Sequence, residues 1–126
     1  MNVKNVAIFA SGAGSNAQNI INNFKATSLI KIVLIVCNKP GANVLNVAKN
    51  EGIPVLLIDR TAFYDSNDTV ERLKAANIDL IVLAGFLWIL PESLVKAFPD
   101  KIINIHPALL PKFGGKGMYE IGRAHV

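Results

Sequence analysis

Three short stretches of this chain carry residue types that could do chemistry. Asn104-Ile105-His106-Pro107 closes an apolar run that begins near Lys101. In an extended strand, residues i and i+2 face the same way, so Asn104 and His106 project together while Ile103 and Ile105 take the other side. At ~3.3 Å rise per residue the two side chains start roughly 7 Å apart. A carboxamide N–H can stabilise an oxyanion and an imidazole can move a proton near neutral pH, so a carbonyl carbon under attack would fit between them. A lone histidine is more often structural. Here a buried strand that turns polar at its carboxyl end argues for a chemical role.

The second stretch, Ser11-Gly12-Ala13-Gly14-Ser15-Asn16, follows the first apolar run and precedes a helical pattern. Glycines let the backbone turn sharply, and the free N–H groups of a helix start then face an anion. Gly12 to Ala17 also satisfies G-x-G-x-x-A, a dinucleotide fingerprint that wants an acid at the end of the second strand. That strand ends Val36-Cys37-Asn38-Lys39, without one. A single phosphate fits better than a dinucleotide, and a plain tight turn with no ligand stays open. The third stretch is Ala84-Gly85-Phe86-Leu87-Trp88-Ile89-Leu90-Pro91. Its large apolar side chains could hold a flat heteroaromatic ring whose polar rim is read by backbone groups. The alternative is that Phe86, Trp88 and Leu90 are ordinary core.

Each stretch needs an element to hold it. Val3–Ala10, Ile30–Cys37 and Leu80–Ala84 are predominantly apolar and rich in Val and Ile, and Pro54–Ile58 and Lys101–His106 are shorter runs of the same kind. Strands buried on both faces read this way. Between them, Ala17–Phe24, Asn43–Glu51, Thr69–Ala76 and Pro91–Phe98 show helical spacing, with Gly52 as a stop signal and Pro91 in a first turn. Strict alternation of strand and helix predicts an α/β fold with a doubly wound, mostly parallel sheet and right-handed crossovers. In such sheets ligands bind outside the carboxyl ends of the strands, where strand order reverses. All three stretches lie after strands.

Composition narrows the function. The 126 residues suit one domain, and 52% hydrophobic against 17% charged residues excludes disorder. No apolar run reaches the ~18 to 20 residues that cross a bilayer. The start is not a secretory leader. Cys37 is the only cysteine, so no disulfide forms within the chain and a reducing cytoplasm is the simple reading. Nothing near Cys37 marks it as a nucleophile. The formal charge of +4 comes from scattered bases without interleaved aromatics, unlike a nucleic-acid surface, and suits small anionic substrates. His106 and His125 do not make a metal pair, and no G-x-S-x-G elbow occurs.

Asn104-Ile105-His106-Pro107-Ala108-Leu109-Leu110-Pro111-Lys112-Phe113 resembles the signature of the folate-dependent formyltransferases. Taken with Ser11–Asn16 and Ala84-Gly85-Phe86, the chain is similar in particular to members that formylate phosphoribosylglycinamide, from about residue 3 to Tyr119. The resemblance implies a Rossmann-like formyltransferase fold. It implies transfer of a formyl group from 10-formyltetrahydrofolate to the amine of 5-phosphoribosylglycinamide in purine biosynthesis, in the cytoplasm, without metal. Gly14, Ser15 and Asn16 would hold the ribonucleotide, chiefly its phosphate. Leu87, Trp88, Ile89 and Leu90, with Asn104, would line the folate pocket. Family members often carry Arg where this chain has Trp88. Asn104 would stabilise the oxyanion of a tetrahedral adduct, and His106 would protonate the departing folate nitrogen. A non-catalytic phosphate- or nucleotide-binding module is the alternative.

The family pattern also needs an Asp downstream of the histidine, and no Asp or Glu lies between Lys101 and Tyr119. Residues 1–119 are expected to be the N-terminal nucleotide-binding region of a longer enzyme, inactive alone. Glu120-Ile121-Gly122-Arg123-Ala124-His125-Val126 can be encoded by one nucleotide followed by a common sequencing-adapter string, AGATCGGAAGAGCACACGTC, so 120–126 are expected to be a non-native tail. A sheet lacking its later strands would leave an edge open to self-association.

Overall fold

Lys4–Ala10 forms β1, and from Val6 onward every one of its side chains is buried. Val6, Ile8 and Ala10 enter one apolar layer, while Ala7 and Phe9 enter another. A strand covered by helices on both sides requires this division. The computed structural model describes residues 3–105 and the backbone of 118–120. After β1 come α1 (Ser15–Phe24), β2 (Ile30–Cys37), α2 (Val44–Glu51), β3 (Val55–Leu57), α3 (Arg60–Tyr64) and α4 (Asp68–Ala75). Then follow β4 (Leu80–Leu83), α5 (Glu92–Ala97), β5 (Ile102–Ile105) and β6 (Met118–Glu120).

The strands lie in the order β3-β2-β1-β4-β5-β6. Neighbours from β3 to β5 run parallel, and β6 is antiparallel to β5. The fold is therefore the doubly wound, mostly parallel α/β sheet expected from the strand–helix alternation. The chain winds outward from β1 to β3, then returns past β1 to β4 and β5. With right-handed crossovers, that reversal moves the helices to the opposite face. Residues of α1 and α2 pack on one face, with Ile35, Val82 and Ile105 beneath them. Residues of α3, α4 and α5 pack on the other, over Phe9, Ile81 and Ile102. The register of the two strands at the reversal is fixed at their starts: Asn5 N donates to Asp79 Oδ2 at 2.8 Å and Asp79 N to the Asn5 carbonyl at 2.7 Å.

Two elements lack a sequence signal. α3 spans five residues, too few to display a helical period, and is started by Asp59, whose Oδ1 accepts from Ala62 N at 2.8 Å. β6 arises in a glycine-rich stretch and pairs Glu120 with Ile103, Tyr119 with Asn104 and Met118 with Ile105. It crosses the boundary between 119 and 120 read from the sequence. Residues 121–126 lie outside the described residues.

α1 and α2 are tied to each other by Gln18 Nε2 and Lys25 Nζ, which reach Glu51 Oε2 at 2.7 and 3.2 Å. The Gln18 hydrogen bond first, and then Lys25, hold the Glu51 carboxyl below its ordinary range. Among the described residues no helix is long and apolar enough to cross a membrane.

Candidate functional site

The loop after β1 turns into α1 through Gly14, which has φ +89°. An L side chain is strained there. A Cβ on Gly14 would also stand 2.8 Å from Val44 Cα and 2.9 Å from Val47 Cγ2, so glycine is what lets the start of α1 seat against the start of α2. α2 in turn holds the loop's carbonyls. Val44 N donates to Gly12 O at 3.1 Å, and Asn43 Nδ2 to Ala13 O at 2.7 Å. No side chain caps α1 and no acid stands in its first turn. The amides of Ser15, Asn16 and Ala17, at the positive end of the helix dipole, have no acceptor among the described residues. A helix start of this kind favours an anion.

The loop after β4 is knitted to the first. Ala84 N donates to the Phe9 carbonyl at 2.8 Å, and Leu87 N donates to the hydroxyl of Ser11 at 2.9 Å. Ser11 is only 3% exposed. Gly85 has φ +73°, and a Cβ there would come within 3.6 Å of Asn16 Nδ2, so the Asn16 carboxamide lies beside this second loop. The two loops thus meet between β1 and β4, at the point where strand order reverses.

Beyond Gly85 the second loop alternates. Phe86, Trp88 and Leu90 turn into the layer of α3–α5, whereas Leu87 and Ile89 are 81% and 68% exposed. Trp88 sits 5.8 Å from the ring of Phe63 and 6.0 Å from Tyr64, under the guanidinium of Arg60 at 4.7 Å. The side chains of Trp88 and Leu90 are engaged in internal packing. A ligand at this loop would meet Leu87, Ile89 and main-chain groups.

Asn104 stands on the next strand. It is in register with Leu83, and Leu83 with Phe9, so the three form a row across β5, β4 and β1. At ~4.8 Å between strands, Asn104 lies about 10 Å from the end of β1. Ile103 and Ile105 pack toward α1 and α2, and Ile102 toward α3–α5. Alternation therefore sends Asn104 to the side of the second loop. Its carboxamide has no hydrogen-bond partner among the described residues. His106 and the stretch 107–117 lie outside the described residues, so the pairing of Asn104 with His106 is carried by the strand only as far as Ile105.

The sequence profile of the family described as formyl transferase matches residues 4–125. The chain belongs to the formyl transferase family. The chain is 41% identical over 124 residues to the chloroplastic phosphoribosylglycinamide formyltransferase of Arabidopsis thaliana, a match spanning 94% of this chain and 42% of the relative. It is 36% identical to phosphoribosylglycinamide formyltransferase of Bacillus subtilis, covering 90% of this chain and 60% of that one. Among solved structures, glycinamide ribonucleotide transformylase 1 from Geobacillus kaustophilus superposes with a TM-score of 0.77 at 37% identity, covering 91% of this chain and 64% of that one. The chain thus spans less than two thirds of the length of these three proteins.

The structure brings Ser11 and Asn16 to the loop after β4, at Leu87 and Gly85, and sets Asn104 one strand further on. In the sequence Ser11 stands out only as part of a turn, and Asn43, Arg60 and Tyr64 do not stand out at all. Ser11 had a signal, a small polar residue closing a buried strand. Asn43 and the two α3 residues act across distances in sequence that no local pattern reports.

Proposed function

We propose that this formyl transferase moves a formyl group from 10-formyltetrahydrofolate to the amine of 5-phosphoribosylglycinamide, a step of purine biosynthesis in the cytoplasm. The observation that carries the reading is the hydrogen-bonded meeting of the phosphate-type loop with the loop after β4, beside Asn104. The amides at the start of α1, with Ser15 and Asn16, hold the ribonucleotide phosphate. The outward side of Leu87 to Leu90 receives the folate ring system.

The chemistry then needs few groups. The glycinamide amine attacks the formyl carbon, forming a C–N bond and a tetrahedral adduct. Asn104 donates an N–H to the oxyanion, a contact that is worth ~3 kcal/mol in sites of this type. Collapse breaks the bond to the folate nitrogen, which takes a proton from the His106 imidazolium, and the proton lost by the attacking amine passes to the neutral imidazole left behind, restoring it. No covalent enzyme intermediate and no metal enter this scheme. The substrates are small molecules, and neither nucleic acid nor a membrane has a part in it. For the 126 residues alone we propose binding with little or no turnover, since no carboxylate stands between residues 107 and 119 to orient the imidazole.

Calorimetry on the purified chain tests the reading. Glycinamide ribonucleotide and a deaza analogue of 10-formyltetrahydrofolate should bind, and NADPH should not. Binding of the ribonucleotide without the folate analogue would favour a phosphate-binding module instead. Binding of NADPH alone would contradict the proposed function, and formyl transfer at an ordinary enzymatic rate by the chain would contradict the proposal that these 126 residues alone do not turn over.

A further inference from the structure

We infer that α3 is a brace for the loop after β4, with Tyr64 and Arg60 as positioning residues for the folate-binding edge; the inference rests on the proposed function. The loop is held at two points. Ser11 Oγ accepts from Leu87 N at 2.9 Å on one side, and the Tyr64 hydroxyl donates to the Ile89 carbonyl at 2.6 Å on the other. Trp88 lies between these points, with the Arg60 guanidinium over its ring at 4.7 Å and the Tyr64 ring 6.0 Å away.

The Tyr64 contact decides which backbone groups the loop offers. In a trans peptide the C=O and the following N–H point in opposite directions. Drawing the Ile89 carbonyl toward α3 therefore turns the Leu90 N–H away from α3, and that amide has no acceptor among the described residues. A heteroaromatic ring with an acceptor on its rim is the ligand such an amide would read. The hydroxyl is not needed for the core, because the Tyr64 side chain is partly exposed and Phe63 beside it does the filling. Arg60 adds a second restraint by covering the outer face of Trp88, a cation–π contact that also dehydrates the ring.

Trp88 is the only tryptophan, so its fluorescence reports on this loop alone. Titrations of the 126-residue chain with the deaza folate analogue, followed at Trp88, are compared with calorimetric titrations of glycinamide ribonucleotide. Tyr64→Phe removes only the hydroxyl and should weaken the analogue about fivefold, the effect of one neutral hydrogen bond, with ribonucleotide affinity unchanged. Arg60→Ala should act in the same direction, and Arg60→Lys should recover part of the loss by keeping a cation over the ring. Equal affinity of Tyr64→Phe and parent for the analogue overturns the positioning role. A parallel loss for both ligands overturns it too, by showing a general structural defect. A parent chain whose Trp88 signal ignores the analogue while the ribonucleotide binds refutes the folate reading itself, and the positioning role with it.

Discussion

Replacing Gly14 with valine is expected to lower the melting temperature of the chain by about 10 °C or more and to abolish binding of phosphorylated ligands. Two costs add. A left-handed conformation disfavours any L residue by roughly 1–2 kcal/mol, and a β-branched one by more. The new Cβ would also meet backbone, the Cα of Val44 at 2.8 Å, which cannot rotate aside as a side chain could. Overpacking of this kind costs about 1–3 kcal/mol. Relief requires α1 to lift from α2, and the amides of Ser15 to Ala17 then no longer converge. Gly12→Ala is the matched control, because nothing lies within 4 Å of a Cβ placed there. Thermal melts and ribonucleotide titrations of the two variants check this. Valine tolerated at position 14 as well as alanine at position 12 would mean that α1 does not begin as described.

Phe63→Ala is expected to cost about 3–5 kcal/mol in urea denaturation and to leave the loop after β4 unsupported. Phe63 is 1% exposed and stands at the centre of a ring cluster, 6.4 Å from Phe9 and 5.8 Å from each of Phe86 and Trp88. No neighbour is placed to fill the space, since Phe9 is fixed in β1 and Phe86 and Trp88 are held by their loop. The cavity would lie directly beneath the loop after β4. Emission from Trp88 should therefore shift to the red under conditions where far-ultraviolet circular dichroism still reports folded helix. A variant with parental stability and unchanged Trp88 emission would show that the cluster does not support the loop.

These two sites differ in how far they could be read in advance. Gly14 was legible because a glycine pair between a buried strand and a helical pattern has few uses, and Ser15 and Asn16 follow it directly. The five parallel strands were legible for a related reason: runs such as Ile30–Cys37 have no polar face, so both sides must be covered. Asn104 was legible through the alternation of Ile103 and Ile105 around it. The cluster around Phe63 was not. It depends on α3, a single turn set by one aspartate cap, and on contacts such as Tyr64 to Ile89, 25 residues apart. The bond from Leu87 N to Ser11 joins positions 76 apart and leaves no periodicity in either segment. The inward turn of Trp88 and Leu90 was likewise open in the sequence, where an apolar loop reads equally as pocket wall or as core.

Everything proposed for this chain depends on one crevice along the carboxyl ends of β1, β4 and β5, with the phosphate proposed at the start of α1 and the reacting carbon beside Asn104. Nuclear magnetic resonance of the isotope-labelled chain, titrated with glycinamide ribonucleotide, tests it residue by residue. The largest shifts are expected at the amides of Gly14, Ser15, Asn16 and Ala17, a smaller shift at the side-chain amide of Asn104, and none at Gly52 or Asn77 at the opposite edge of the sheet. Saturating ligand that moves Gly52 and Asn77 while residues 14 to 17 stay still would contradict a phosphate site in that crevice.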